Sequence, residues 1–198
     1  MRIFLTGASG FIGKNLVGYL LERDCRLTCL LRNPARLPES LRSRVNVITG
    51  DLTLPDAQLE RAVADAEAVI HLAGQLWSHT FEDYDRVNRR GTEALVKVTA
   101  PSVATVRRFV MVSSLAAAGP AKMGQPLTES SPPAPVSWYG KTKLAGEQAL
   151  KGAPFPWTVL RPCMVYGPHD RGLRRFFTLA ARHIRPLLHR GHMEVSLV

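Results

Sequence analysis

The chain has 198 residues, of which 45% are hydrophobic and 21% charged, and it carries a formal net charge of +10. This balance is typical of one globular domain with a sizeable core, and the sequence contains no apolar run long enough to span a bilayer. The N-terminus reaches glycine and threonine too early for a signal peptide, so we expect a cytoplasmic protein that does not act at a membrane. The positive charges are scattered without a long basic run. They therefore indicate a solvated, arginine-rich surface rather than nucleic-acid binding.

The cysteines and histidines form no pattern that predicts a disulfide framework or a metal site. The cysteines are Cys25, Cys29 and Cys163, too few for such a framework, and we expect reduced thiols with structural roles. A tract near the end, HRGH, has no carboxylate or cysteine at a spacing suited to metal ligands. We therefore predict no metal, and we expect surface positions for His79, His169, His183, His189 and His192.

Short apolar runs alternate along the chain with longer amphipathic ones, and this order predicts the fold. The predicted strands are Arg2–Thr6, Arg26–Leu31, Val45–Thr49, Ala68–Leu72, Phe109–Ser113 and Trp157–Arg161. The predicted helices are Phe11–Arg23, Pro55–Val63, Phe81–Ala100 and Tyr139–Leu150. Alternation of strand and helix indicates parallel pairing through right-handed crossovers, and near-continuous apolar strands indicate a sheet covered on both faces. The sequence therefore predicts an α/β fold with a doubly wound parallel sheet.

Two segments stand outside this alternation. A long proline-rich loop, residues 121–138, belongs to a kind that commonly shapes a functional site. After Arg161 the pattern weakens: RGLRRFFTLAARHI is typical of a helix, and HMEVSLV resembles the beginning of another strand. We therefore divide the chain into a main α/β domain, residues 1–161, and a smaller, incomplete lobe, residues 162–198.

A glycine-rich turn, TGASGFIG, joins the first predicted strand to the first predicted helix. Its glycines are Gly7, Gly10 and Gly13. A phosphate-binding turn needs glycine where the backbone bends sharply, where a pyrophosphate approaches it closely, and where the helix packs on the strand. The N-terminus of the following helix offers free N–H groups and partial positive charge to phosphates. The turn therefore predicts a dinucleotide site, with a tight turn that binds nothing as the alternative.

The details of this turn differ from two related phosphate-binding patterns. A P-loop would need serine or threonine after its lysine, and here Lys14 is followed by Asn15. The pattern G-x-G-x-x-G would need glycine at Ala8. In NAD-type sites an acid about twenty residues further on binds the ribose, but the second predicted strand ends at Leu31 and is followed by Arg32. Because a guanidinium suits a 2′-phosphate, we expect NADP rather than NAD, with a simply solvated Arg32 as the alternative.

A tyrosine and a lysine stand four residues apart in the segment VSWYGKTKLAGE. In a helix this spacing points Tyr139 and Lys143 in the same direction. A solvated helix face would explain the lysine, but it explains the pair less well. A free phenol has a pKa of about 10, and a cation about 4 Å away could lower it by about three units. The pair is therefore a candidate site for proton transfer.

The turn, the pair and the fold together resemble the extended branch of the short-chain dehydrogenase/reductase superfamily, which includes the NAD-dependent epimerase/dehydratase group. The resemblance covers essentially the whole chain and rests on several segments in the family's order. They are TGASGFIG, GDL with Asp51, VIHLAG with His71, VNRRGT with Asn88, RFVMVSSLAAAG with Ser114, YGKTK and LRPCMVYGP.

The resemblance implies an enzyme that transfers hydride between a nicotinamide cofactor and a secondary alcohol or ketone. It makes Tyr139 the acid/base, Lys143 its tuning residue and a ligand of the nicotinamide ribose, and Ser114 the partner of the substrate oxygen, with Ser113 as the alternative register. Asn88 would either relay protons or tie the backbone together. The cofactor site implied by the resemblance comprises Gly7, Ser9, Gly10, Phe11, Ile12, Gly13, Arg32, Asp51, Leu52, Leu72, Ala73, Gly74, Tyr139, Lys143 and Pro162.

Some positions depart from the family's pattern. Ala118 stands where many sugar epimerases of this branch carry tyrosine, which favours a reductase. Leu115 and Ala116 stand where sugar 4,6-dehydratases carry an Asp-Glu pair, which argues against dehydration. Members of the branch usually continue beyond this length, so we expect part of the substrate lobe to be missing and the activity of this chain to depend on it.

Several functional alternatives stay open at this point. The substrate is a small molecule of one of three classes: a nucleotide sugar, a sterol-like ring or a small ketone. A different class of function is a dinucleotide-binding sensor or assembly subunit without turnover. The resemblance also implies a homodimer formed through helices that include Phe81–Ala100 and Tyr139–Leu150.

Overall fold

The computed structural model describes residues 1–122, 124–170, 172–184 and 197–198, with the backbone alone for residues 174–176. Within these ranges a single sheet contains six strands, all parallel, in the order β3-β2-β1-β4-β5-β6. Strands β2 and β3 follow on one side of β1, and β4, β5 and β6 follow on its other side. This reversal of strand order beside β1 is the doubly wound Rossmann arrangement. The strands are β1 (Arg2–Thr6), β2 (Arg26–Leu31), β3 (Asn46–Thr49), β4 (Ala68–His71), β5 (Arg108–Val112) and β6 (Trp157–Leu160).

Helices connect the strands and cover both faces of the sheet, which confirms the predicted fold class. Each predicted strand lies within one residue of the observed one at either end, because the short apolar runs of the sequence are the segments that form the sheet. The helices are α1 (Phe11–Leu21), α2 (Glu39–Arg42), α3 (Ala57–Ala64), α4 (Phe81–Asp85), α5 (Gly91–Thr99), α6 (Trp138–Gln148) and α7 (Arg174–Ala181).

Alternate side chains of the strands pack into two apolar cores, one on each side of the sheet. Ile3 and Leu5 of β1 pack with Val17 of α1 on one face. Phe4, between them in the sequence, packs with Leu95 of α5 on the other face. This alternation is the two-residue period of a strand that is buried on both sides. It places α1 on one face and α3, α5 and α6 on the other.

The predicted long helix Phe81–Ala100 is not a regular α-helix. It consists of α4, a π-helical turn at Arg86–Arg90, and α5, which follow one another without a break. In the π-helical turn a backbone hydrogen bond joins residues five apart instead of four, from the Gly91 nitrogen to the Arg86 oxygen, and such turns are frequent at functional sites. It contains Asn88, whose side chain is fully buried between α6 and the segment after β4.

Several smaller expectations can be compared with the same structure. His79, His169 and His183 are exposed as predicted, and the cysteines are free thiols. The HRGH tract and most of the strand-like HMEVSLV run lie outside the described residues, although Leu197 forms an isolated parallel bridge with Met164. No helix in the described part of the chain is long and apolar enough to cross a membrane.

Candidate active site

The carboxyl ends of β1, β4 and β5 meet at one edge of the sheet, beside the point where the strand order reverses. Open α/β sheets bind their ligands at this point. The segments that follow these strands are the glycine turn after β1, residues 72–74 after β4, and Ser113–Ser114 after β5. Helix α6 brings Tyr139 and Lys143 to the same edge. The topology therefore brings together the segments that carry most of the predicted site residues.

The glycine turn is so closely packed that two of its glycines admit no side chain. Gly7 has a φ of +76°, and a methyl group there would lie 2.6 Å from the Ala73 nitrogen. A methyl group at Gly13 would lie 2.2 Å from the Gly7 oxygen, because α1 packs directly on the turn. At Gly10 the same test gives a tight but less severe contact, 3.2 Å from the Gly7 oxygen. Packing within the protein therefore explains Gly7 and Gly13, whereas close approach of a ligand would explain Gly10.

The N-terminus of α1 lacks the side-chain cap that α3 and α6 have. Side chains of Asp56 and Ser137 accept hydrogen bonds from the first turns of α3 and α6. Helix α1 has Gly10 as its N-cap residue, with no side-chain cap hydrogen bond and no acidic residue in its first turn. Its free N–H groups and partial positive charge are therefore available to an anion. Ser9, Phe11 and Ile12 are half-buried beside it, so the residues present fit the pyrophosphate of a dinucleotide.

Lys143 is a buried ammonium group at the same edge. It is 2% exposed, and its Nζ donates to the Val112 carbonyl at 2.8 Å. A methyl group at Gly74 would lie 3.7 Å from this Nζ, so the lysine faces the backbone that follows β4. Burial lowers the pKa of Lys143 to about 8, although Glu147 raises it in part. The lysine ammonium has three N–H donors, of which one binds the Val112 carbonyl. The other two are suited to ribose hydroxyls.

Tyr139 is half-buried, with its phenol next to the Ser114 hydroxyl. Burial raises the pKa of Tyr139 above its ordinary value, the hydrogen bond with Ser114 lowers it in part, and Tyr84 raises it further. Lys143 is not among the groups that shift this pKa, and its ammonium donates to the Val112 carbonyl. The phenol is consequently neutral at physiological pH and able to donate a proton. A lowering of the Tyr139 pKa by Lys143 together with a bound nicotinamide stays a prediction.

Close backbone packing fixes the position of α6, and with it both of these side chains. A methyl group at Gly140 would lie 2.2 Å from the Ala116 oxygen, and one at Gly146 would lie 2.4 Å from the Asn88 oxygen. The two glycines therefore let the helix approach the turn after β5 on one side and the π-helical turn on the other. Neither substitution could be accommodated without moving the helix.

The two serines after β5 have different environments. The Ser113 hydroxyl is buried and donates to Glu147 Oε1 at 2.5 Å. The Ser114 hydroxyl accepts from the Ala116 nitrogen at 3.1 Å and lies beside the Tyr139 phenol. Of the two registers, Ser114 is the one next to the tyrosine, whereas Ser113 is bound within the protein.

Asn88 ties three segments together through its side-chain amide. Its Oδ1 accepts from the Gln75 nitrogen at 2.8 Å, and its Nδ2 donates to the Gln75 oxygen and to the Thr142 hydroxyl, both at 3.1 Å. Both amide N–H groups are thus used within the protein. The structure supports the backbone-tying role, and a proton-relay role stays a prediction.

His71 is a buried histidine between the glycine turn and the site helices. Its place in the segment VIHLAG is the only feature of the sequence that points to it. His71 is fully buried; its Nδ1 lies 2.7 Å from the Thr6 hydroxyl and its Nε2 lies 2.9 Å from the Thr92 hydroxyl. Thr92 donates to the Asn88 oxygen and Thr6 accepts from the Ala73 nitrogen. These donor directions assign the hydrogen to Nε2. The histidine therefore links the segments around the glycine turn to the π-helical turn.

The residues predicted at the adenosine end lie after β2 and β3. Arg32 is exposed, and its charge acts on Asp51. Burial raises the pKa of Asp51, but hydrogen bonds from Thr53 and the charges of Arg32 and Arg86 outweigh it, so that the pKa is below the ordinary range. The Leu52 side chain is part of the apolar core. Leu52 could therefore meet a cofactor mainly through its backbone.

Three further predicted cofactor residues border the same edge. The Leu72 and Ala73 backbone nitrogens are held by Thr6, at 3.2 and 3.1 Å, and the chain between them passes directly against Gly7. The Pro162 oxygen accepts from the Leu115 nitrogen at 2.9 Å, which extends the pairing of β5 and β6 past the end of the strands. All three are positioned by backbone contacts, and their roles towards a cofactor stay predictions.

The fold and this edge together define a Rossmann-type α/β protein with a glycine-rich turn after its first strand and a Tyr-x-x-x-Lys pair. A sequence profile of the NAD dependent epimerase/dehydratase family matches residues 3–196. The chain belongs to this family, as the resemblance predicted.

Individual relatives show the range of activities within this family. The chain is 36% identical over 180 residues to a ceramide reductase of Caulobacter vibrioides, covering 91% of this chain and 51% of that protein. It is 30% identical over 180 residues to a UDP-glucose 4-epimerase of Vibrio cholerae, covering 84% and 52%. The solved UDP-glucuronic acid 4-epimerase of Bacillus cereus in complex with NAD aligns with a TM-score of 0.80 at 27% identity, covering 93% and 64%. The chain thus spans about half the length of these curated relatives.

Proposed function

We propose that the protein is an NAD(P)-dependent oxidoreductase or epimerase that transfers hydride to or from a secondary alcohol or ketone. One observation carries the proposal. The open N-terminus of α1, the buried Lys143 ammonium and the adjacent Ser114 and Tyr139 hydroxyls lie around a single edge of the sheet. This edge joins an anion site to a proton donor, and a nicotinamide-dependent reaction needs both.

Each residue has a distinct role in this proposal. The dinucleotide supplies or accepts the hydride. Gly10 and the first turn of α1 would hold its pyrophosphate, and Lys143 would donate to its nicotinamide ribose. Ser114 would hydrogen-bond the substrate oxygen and hold it beside the Tyr139 phenol. In ketone reduction Tyr139 would give its proton to that oxygen, and in alcohol oxidation it would take the proton back.

The substrate would occupy the smaller lobe after β6, residues 162–198. A cleft of about 610 Å³ in this lobe is lined by Tyr166, His169, Asp170 and Phe177, among others. The chain beside the cleft lies against α1, because the Pro168 oxygen accepts from Asn15 at 2.8 Å. The sequence similarity to a ceramide reductase and to a UDP-glucose 4-epimerase supports a substrate that is oxidised or reduced at one carbon. Ala118 favours reduction.

The first test replaces the middle glycine of the turn. Gly10→Ala is expected to lower the affinity for NADH and NADPH at least about tenfold, because the methyl group occupies the backbone surface that a pyrophosphate approaches. Binding is measured by nicotinamide fluorescence. Turnover is measured as loss of reduced cofactor with a panel of ketones that includes a ketosphingoid lipid and keto sugars, on this chain and on a C-terminally extended version.

Gly18→Ala is the matched control, since it lies in the same helix and a methyl group there meets nothing within 4 Å. It should leave binding unchanged. If urea unfolding shows that Gly10→Ala and the wild type are both folded, and both bind NADH and NADPH equally well, the proposed phosphate site is contradicted. A chain that binds cofactor but turns over no ketone in either length would favour the binding-module alternative.

The second test concerns cofactor choice, for which we propose NADP over NAD. Arg32→Ala is expected to weaken NADPH binding by about tenfold to a hundredfold and to leave NADH binding nearly unchanged, because only NADPH carries the 2′-phosphate that a guanidinium binds. Arg36→Ala, an exposed arginine four residues on, is the control and should change neither affinity. Equal weakening of both cofactors by Arg32→Ala would show that the arginine does not read the 2′-phosphate.

A further inference from the structure

Glu147 is a buried carboxylate that none of the roles above uses. It lies on α6, one helical turn after Lys143, and is 8% exposed. Arg161, just after β6, donates to it through Nε at 2.9 Å and through Nη2 at 2.5 Å. The Ser113 hydroxyl donates to the same carboxylate at 2.5 Å. A buried carboxylate with this many charged and polar partners holds them in a defined geometry.

The contacts of Lys143 and Glu147 fall on consecutive residues of one strand end. Lys143 donates to the Val112 carbonyl, and Glu147 accepts from the Ser113 hydroxyl. The next residue is Ser114, whose hydroxyl lies beside the Tyr139 phenol. Two side chains of α6, one turn apart, therefore fasten the end of β5 immediately before the residue proposed to contact substrate.

We propose that Glu147 is a positioning residue of the proposed site, which fastens the ends of β5 and β6 to α6 and places a negative charge one helical turn from the Lys143 ammonium. This inference rests on the proposed function. Arg161 neutralises the carboxylate in part and orients it, and Ser113 fixes the strand. Glu147 acts through Lys143 and Ser114 and has no direct contact with substrate.

Several neighbouring groups influence the protonation of Lys143 or are influenced by its charge. On its own helix, Glu147 lies one turn after it and acts on its pKa, and Tyr139 stands one turn before it. From β4 it is faced by His71, whose charged form the lysine disfavours, and beyond Glu147 lies Arg161. Glu147 is the carboxylate that favours the charged lysine, since burial acts in the opposite direction. Removing that carboxylate should therefore shift the lysine towards its neutral form.

The direct test is titration of the Lys143 amine by NMR on isotope-labelled lysine, in the absence of cofactor. The chain has six lysines, which keeps the spectrum simple. In Glu147→Gln the pKa of Lys143 is expected to fall by about one unit or more from its wild-type value, because a nearby negative charge is lost and Arg161 is left unpaired. In turnover assays the loss of activity at alkaline pH should shift downward by the same amount, with a larger effect on kcat than on KM.

Two further variants keep the test decisive. Glu93→Gln makes the same chemical change in an exposed i,i+4 pair with Arg89, and it should leave the Lys143 titration unchanged. Arg161→Met removes the cation and leaves the carboxylate, so the pKa of Lys143 should stay or rise, opposite to Glu147→Gln. An unchanged titration in folded Glu147→Gln, or a fall of equal size in Arg161→Met, would overturn the inference. Because the titration needs no substrate, it can succeed or fail independently of the proposed activity.

Discussion

Replacing Tyr139 with phenylalanine is expected to lower turnover about a thousandfold while changing the affinity for dinucleotide by about twofold or less. The hydroxyl is the proposed proton donor to the substrate oxygen, and proton transfer by a positioned side chain contributes about 10²- to 10⁴-fold to rate. The phenylalanine ring keeps the contact with Tyr84, 6.3 Å between ring centroids, so the site should stay folded. The measurements are loss of reduced cofactor with the best substrate found and fluorescence titration of the cofactor.

Tyr19→Phe provides the matched control, because it removes a tyrosine hydroxyl from the exposed side of α1. It should retain full activity. Turnover within about tenfold of the wild type in Tyr139→Phe would exclude the phenol as the acid/base. A wild type that binds the dinucleotide but shows no turnover with any tested substrate would instead support a sensor or assembly subunit, for which this hydroxyl has no chemical task.

The protonation state of Tyr139 indicates which direction of reaction to assay first. Burial holds its pKa above the ordinary value, so the phenol is protonated throughout the neutral range. Ketone reduction needs the protonated form, whereas alcohol oxidation needs the proton removed. Ketone reduction is therefore the direction to assay first, in agreement with the interpretation of Ala118.

The sheet could be predicted from the sequence because its strands are short apolar runs between turn residues. Runs such as RIFLT and FVMVS are buried on both faces and match β1 and β5 to within one residue. The π-helical turn at Arg86–Arg90 could not be predicted, since its residues have the same amphipathic period as α4 and α5. What distinguishes it is tertiary: the amide of Asn88 reaches Gln75 and Thr142, which are distant in sequence.

Within the candidate site, too, features that depend on local sequence spacing could be predicted, and features that depend on tertiary packing could not. The glycine turn and the pair of Tyr139 and Lys143 depend on local spacing, and the sequence is enough to predict them. Glu147 and Arg161 were missed because their pairing depends on how α6 lies against the end of β6. The one available signal was the position of Glu147 four residues after Lys143, which places both on the same face of a helix. Burial also explains why the Tyr139 phenol has a raised pKa, which spacing alone does not predict.

His71 shows how a buried titratable group ties the site to the stability of the whole fold. Burial, and next to it the charge of Lys143, lowers the pKa of His71 to about 3. In the unfolded chain a histidine titrates near pH 6.5. Between these values the unfolded state binds a proton that the folded state excludes, so stability falls as the pH falls. The contribution of His71 is complete above about pH 6.5 and is lost progressively towards about pH 3.

We therefore expect acidification from about pH 7 to about pH 5 to lower the free energy of unfolding by about 2 kcal/mol through His71 alone. In His71→Gln this part of the pH dependence should disappear, although the variant is less stable at neutral pH because the Thr6 and Thr92 hydroxyls lose well-placed partners. Urea unfolding midpoints across this range measure the effect. His79→Gln, at an exposed position, should keep the wild-type slope. If His71→Gln and the wild type lose stability in parallel on acidification, the histidine is not the group responsible.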